Sequence, residues 1–211
     1  MSDDYVRNML LKSHDVTGAV WVEDRIIEIS RKKYGSFQAA ILKEKLVDTQ
    51  HVEPFLARPV AVIANFPKIG KWTGGAIERC EAHGKAWGQW GVLLRALGNE
   101  APETTENPEI SFNRRALIQH TRVRAVRFLY DHLLLVEHQN GRELRIALLY
   151  EYDLSGDDVR SAWDRLGPFD ILLKTNPNGS LLNDAHYAAE ALGAKVLGFG
   201  DMLSYLARGK F

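Results

Sequence analysis

From about residue 15, apolar positions Ala19, Val22, Ile26 and Ile29 recur at three- and four-residue spacing, which predicts an amphipathic helix that Gly35 would end. Ser36 would then cap a second helix with Phe37, Ala40, Ile41 and Val47 on one face. The pattern reads as two packed helices with Arg31, Lys32 and Lys33 at a solvated corner, or more sharply as a helix-turn-helix docking on nucleic acid. Pro59 opens an apolar run, 60–66, of the length of a buried strand. A Gly-rich turn follows, and Thr73 is placed to cap a single long helix over 76–97. That turn departs from a phosphate-binding loop. Gly70 and Lys71 supply the Gly-Lys pair, but Trp72 stands where a hydroxyl should hold magnesium and Asn65 where the first glycine should be. Within the expected helix Gly84, Gly88 and Gly91 fall on one face beside Trp87 and Trp90, a stripe suited to close packing in the fold or against a second copy of the chain.

Residues 99–110 carry two prolines and four glutamates and read as an exposed loop that halves the chain. Beyond it, 123–130 and 133–136 are strand-like, and Asn140-Gly141 marks a tight hairpin into a returning strand, 144–150. Ser155, followed by Asp157 and Asp158, caps a helix that Gly167 and Pro168 end. A strand, a turn at 176–179, a helix from Asn183 or Asp184, a short strand at 196–199 and a terminal helix at 201–207 complete the chain. The order strand, strand, strand, helix, strand, helix, strand, helix predicts an α/β fold with a mixed β-sheet flanked by helices. The expected division is a small helical N-terminal section, 1–58, and an α/β core, 59–211.

Composition narrows the function classes without choosing one. Apolar residues make up 45% of the 211, and basic and acidic residues balance at 27 each, so a charged partner must be met by a local patch and not by a global field. The single cysteine excludes a disulfide framework and suits a reducing, cytoplasmic setting. Cys80 and His83 stand three apart, a spacing open to a nucleophile and base as well as to ordinary packing.

The meander, crossover helix and further strand, with the predicted 76–97 helix in front, resemble the core of the restriction-endonuclease-like, or PD-(D/E)XK, nuclease superfamily over about 130 residues. The closing FDILLKTNPNG (169–179), helix, AKVLGF (194–199) and terminal helix are similar in particular to Mrr-type nuclease domains. The resemblance implies a magnesium-dependent phosphodiester hydrolase, with carboxylates holding the metal and a lysine activating water. Asp131 and Glu151 would be the metal ligands, brought to one end of the sheet by antiparallel pairing. Asp153 stands where the family pattern has its lysine, so Lys174 on the next strand is the candidate amine. Glu143 with Arg145 offers an alternative acid-x-base triplet, and Glu78 a further carboxylate.

One charge feature points to nucleic acid. Arg114, Arg115, Arg122, Arg124 and Arg127 crowd the approach to the first strand of the second half, where guanidinium groups would meet phosphates or pair with the acidic loop. Three functions follow as expectations: a nuclease acting on nucleic acid, DNA favoured over RNA; a catalytically inactive nucleic-acid-binding module on the same fold; and a homo-oligomeric assembly protein using the Gly84/Gly88/Gly91 face.

Overall fold

The computed structural model describes residues 3–67, 69–209 and 211 of an α/β protein. The chain divides into two compact units, Met1–Asn107 and Pro108–Phe211. The first unit runs α1 (Asp3–Leu11), β1 (Val16–Glu23), β2 (Ile26–Arg31), β3 (Phe37–Leu42), β4 (Leu46–Val47), α2 (Thr49–Leu56), β5 (Val60–Asn65), β6 (Lys71–Trp72), α3 (Gly74–Ala82), β7 (Ala86–Gln89) and α4 (Trp90–Ala96). Its main sheet has the order β1-β2-β3-β5-β7, antiparallel through β3 and parallel thereafter. Val6 and Leu10 of α1 and Val92, Leu93 and Ala96 of α4 bury one face of that sheet.

Residues 15–47 are therefore a three-stranded meander followed by a short strand, and not the helical section expected for 1–58. The spacing of Ala19, Val22, Ile26 and Ile29 mimics a helix, yet the same stretch is dense in β-branched and aromatic residues, which favour a pleated surface. Arg25, in the left-handed region at φ 60°, turns the chain between β1 and β2, so Ile27 and Ile29 fall on one buried face at period two. Gly35 and Ser36 lie in the β2–β3 connection, where the Ser36 hydroxyl reaches Ser30.

The long helix expected over 76–97 is also broken. Gly84 ends α3 at φ 62°, and Gly88 sits in β7 at φ 147°, where a Cβ would strike the Val92 side chain. Gly91 alone is helical, so the three glycines do not form the one-sided helical stripe expected.

The second unit runs α5 (Pro108–Gln119), β8 (Val123–Tyr130), β9 (Leu133–His138), β10 (Glu143–Leu149), α6 (Gly156–Leu166), β11 (Ile171–Lys174), α7 (Asn183–Ala191), β12 (Lys195–Gly198) and α8 (Phe199–Arg208). The element order expected from 123 onward is the one observed. The sheet order is β8-β9-β10-β11-β12, with β10, β11 and β12 parallel. Ser155 caps α6 in a capping box with Asp158, and α6 and α7 bury one face of the sheet.

The two units are copies of one plan: helix, antiparallel meander, helix, parallel strand, helix, parallel strand, helix. Asp24 and Asp131, Glu44 and Glu151, and the helix caps Asp48 and Ser155 stand 107 positions apart. Asn65 and Lys174, Gly70 and Gly179, and Trp90 and Phe199 stand 109 apart. Even the short β4–β6 pair has a counterpart in the parallel bridge between Leu154 and Leu181. The division falls between the copies, after residue 107, and not at 58. The stretch expected as one exposed loop, 99–110, holds a 3-10 turn at Pro102–Thr104 with Pro102 and Thr105 buried, and passes into α5 at Pro108.

Candidate functional site

In the second unit, β-pairing carries Asp131, Glu151 and Lys174 to one end of the sheet. The Leu148 amide donates to the His132 carbonyl, which sets the β8–β9 turn beside the end of β10, and Leu149 lies opposite Lys174 across the parallel pair. The three side chains differ in burial and in the partners they meet. Asp131 is buried at 3% exposure, with its Oδ2 3.1 Å from His132 Nδ1. Glu151 lies two residues beyond the strand and is exposed. Lys174 is buried, and its ammonium donates to the carbonyls of Asn176, at 2.6 Å, and Asn178. Among the described residues no three His, Cys, Asp or Glu side chains gather as a ligand set for a metal ion.

Residues that sequence spacing did not single out complete the arrangement. Glu109, in the first turn of α5, accepts a hydrogen bond of 2.7 Å from the Thr175 hydroxyl just past β11. Burial pushes the His132 imidazole down, but the hydrogen bond and charge of Asp131, with the charge of Glu109, outweigh burial and the opposing Arg165, and hold it above the usual histidine range. The buried Asp131 carboxylate thus favours the protonated form of the imidazole beside it. The only trace of this pair in the sequence is the adjacency of Asp131 and His132; Glu109 and Thr175 are brought near by the fold alone.

The first unit repeats the positions with different chemistry. Asp24 is exposed in the β1–β2 turn. Glu44 lies 3.4 Å from Arg25 and 4.0 Å from His51. Asn65, in the place of Lys174, is fully buried and both accepts from the Glu44 amide and donates to the Glu44 carbonyl, at 3.0 and 2.9 Å. In both copies this strand-end residue therefore pins neighbouring backbone. Gly70 and Gly179 allow it: a Cβ at Gly70 would strike Asn65 and the Glu44 carbonyl, and one at Gly179 the Tyr152 carbonyl.

A scan against protein-family models and searches of curated proteins and of solved structures find no match to this chain.

The arginines divide between packing and surface. Arg114, on α5, lies over the Phe128 ring at 4.7 Å, and Arg115 reaches Ser111 at 3.3 Å. Arg122 is exposed just before β8, an outer strand of its sheet. On β8, Arg124 pairs with Glu137 at 3.0 Å and Arg127 with Glu143 at 3.3 Å, so these two meet carboxylates of their own sheet. Both arginine side chains remain mostly exposed, 71% and 59%. No helix among the described residues is long and apolar enough to cross a membrane.

Proposed function

We propose that this chain is a cytoplasmic nucleic-acid-binding protein made of two restriction-endonuclease-like units, with binding and not hydrolysis as its activity. The observation that carries this reading is the commitment of Lys174 to the carbonyls of Asn176 and Asn178, and of Asp131 to His132. These are the groups that a metal-dependent nuclease would turn toward the phosphodiester. The meander followed by parallel strands supports the fold resemblance, now in both units. The arginines of β8 and the exposed Arg115 and Arg122 support phosphate contact. Exposed ion pairs contribute only about 0–1 kcal/mol, so phosphates can replace Glu137 and Glu143 at little cost.

Titrating a labelled oligonucleotide with the full chain across salt concentrations tests the reading. Binding should weaken as salt rises, and Arg122→Glu with Arg124→Glu should flatten the slope of log K against log salt by roughly two units on duplex DNA. A salt-independent signal, or an unchanged slope in the double variant, would remove the arginine surface. The nuclease reading is tested alongside: magnesium-dependent cleavage lost in both Asp131→Asn and Lys174→Ala would replace the binding reading with it.

A further inference from the structure

Within the first unit, the carboxyl ends of β3, β5 and β7 set Leu42, Asn65 and Gln89 in a row, the end of a parallel sheet at which open α/β folds take their ligands. The Gln89 amide nitrogen donates to the Gly70 carbonyl. Its Oε1 is buried and, among the described residues, has no hydrogen-bond partner; the same holds for Nε1 of the adjacent Trp90. Buried polar atoms are rarely left in that condition, because each loses its hydration with nothing in return. Beside them the Trp90 ring meets Phe66 at 4.7 Å between centroids, and Phe66 meets Tyr5 at 6.0 Å, with Tyr5 half exposed. Lys43 and Lys45 follow β3 at the same end and are exposed, and the Lys71 amide donates to the Lys45 carbonyl.

The second unit is a control for what the fold itself requires. Gly198 and Phe199 occupy the places of Gln89 and Trp90, and Phe199 keeps a ring contact at 5.3 Å with Phe112, the counterpart of Tyr5. Tyr150, Tyr152 and Ser180 stand where the first unit has Lys43, Lys45 and Lys71. The plan thus asks for an aromatic side chain at Trp90, but for neither the indole nitrogen, nor the amide, nor the lysines. Their chemistry is complementary to one ligand class. An N–H donor and a carbonyl acceptor on consecutive residues are the two groups that an amide edge of a nucleobase takes, the aromatic side chains offer a stacking surface, and the lysines suit a phosphate.

We propose that the carboxyl end of the first unit's sheet binds an unpaired nucleotide through Trp90 Nε1, Gln89 Oε1, the Tyr5–Phe66–Trp90 cluster and the lysines at 43, 45 and 71. The proposal rests on the nucleic-acid reading for its choice of a single strand as the source, a free nucleotide being the other source of the same chemistry.

The test measures binding of a labelled single-stranded oligonucleotide and of a nucleoside 5′-monophosphate to the full chain and to Trp90→Phe and Lys45→Ala. Trp90→Phe keeps the ring and removes only the unpartnered N–H. It should weaken single-strand binding roughly three- to tenfold, the worth of one hydrogen bond, while the melting temperature holds or rises. Lys45→Ala should flatten the single-strand salt slope by about 0.7. Oligonucleotide binding that both variants leave unchanged overturns the site and spares the nucleic-acid reading. Trp90-dependent binding of the monophosphate with no oligonucleotide binding keeps the site and overturns that reading. Binding of neither overturns both.

Discussion

Replacing Lys174 separates a lysine that holds a loop from one that serves chemistry. Lys174→Met keeps most of the buried stem and removes the ammonium, so the carbonyls of Asn176 and Asn178 lose their donor. Charge-assisted hydrogen bonds contribute about 1.5–3 kcal/mol each. Two effects reduce that figure here: Asn178 is exposed, so its carbonyl regains water, and loss of a buried charge relieves its desolvation. A net cost of about 1–2 kcal/mol for Lys174→Met follows. Lys174→Ala also deletes buried methylene groups at about 0.8 kcal/mol each and should cost about 3–4 kcal/mol. At about 4–8 °C per kcal/mol for a unit of this size, Lys174→Met should lower the melting transition of the second unit by roughly 10 °C. Thermal melts followed by circular dichroism read the global loss. Hydrogen exchange reads the local one, at the Ser180 amide that donates to Asp153 and the Leu154 amide that donates to Ser180. A Lys174→Met protein that melts like wild type and protects these amides equally would refute the loop-pinning argument; if it had also lost magnesium-dependent cleavage, the lysine would be catalytic.

Further outcomes concern the same two units. Gly179→Ala should destabilise the second unit by more than about 1 kcal/mol, because φ is 73° and the new Cβ meets the Tyr152 carbonyl, whereas Gly193→Ala, at the same φ but in open space, should cost only the backbone term; chemical denaturation compares them. Gly88→Leu should unfold the first unit, which loss of its circular dichroism melt would show, since both φ 147° and the Val92 side chain oppose it. The His132 contribution to stability should be complete below its unfolded pKa of about 6.5 and disappear as pH rises through the raised folded value; a pH series of melts should show that decline in wild type and not in His132→Gln. The Cys80 thiol, pushed up to about 12 by burial, should resist thiol reagents at neutral pH until the first unit opens, and rapid labelling of the native protein would contradict its burial.

The second unit was legible because its signals are local. The Asn140-Gly141 turn, the Ser155 cap and the stop at Gly167 each act within a few residues. In the first unit the spacing of Ala19, Val22, Ile26 and Ile29 competes with strand preference, and tertiary pairing decides for the strand. A shift of 107 positions would have resolved the conflict, since it lays Asp24, Ile26 and Ile29 over Asp131, Leu133 and Val136, where the strands read plainly. Candidate residues were legible to the level of backbone position only. That Asp131 and Lys174 reach one sheet end follows from counting across strands; that their polar atoms turn to His132 and to the 176–178 carbonyls depends on side-chain packing, which no spacing encodes.

The outer strands of the two sheets differ in a way that bears on solubility. β8 presents Arg124 and Arg127, and a charged edge resists pairing with a strand from another molecule. β1, its counterpart, carries no charge from Val16 to Val22 and leaves Val20 61% and Val22 44% exposed. Aggregation at high concentration is therefore expected to nucleate on the first copy and spare the second. Val20→Lys, which places a charge where β8 has Arg127, should delay turbidity in a concentrated sample more than the same exchange at the helical Leu94.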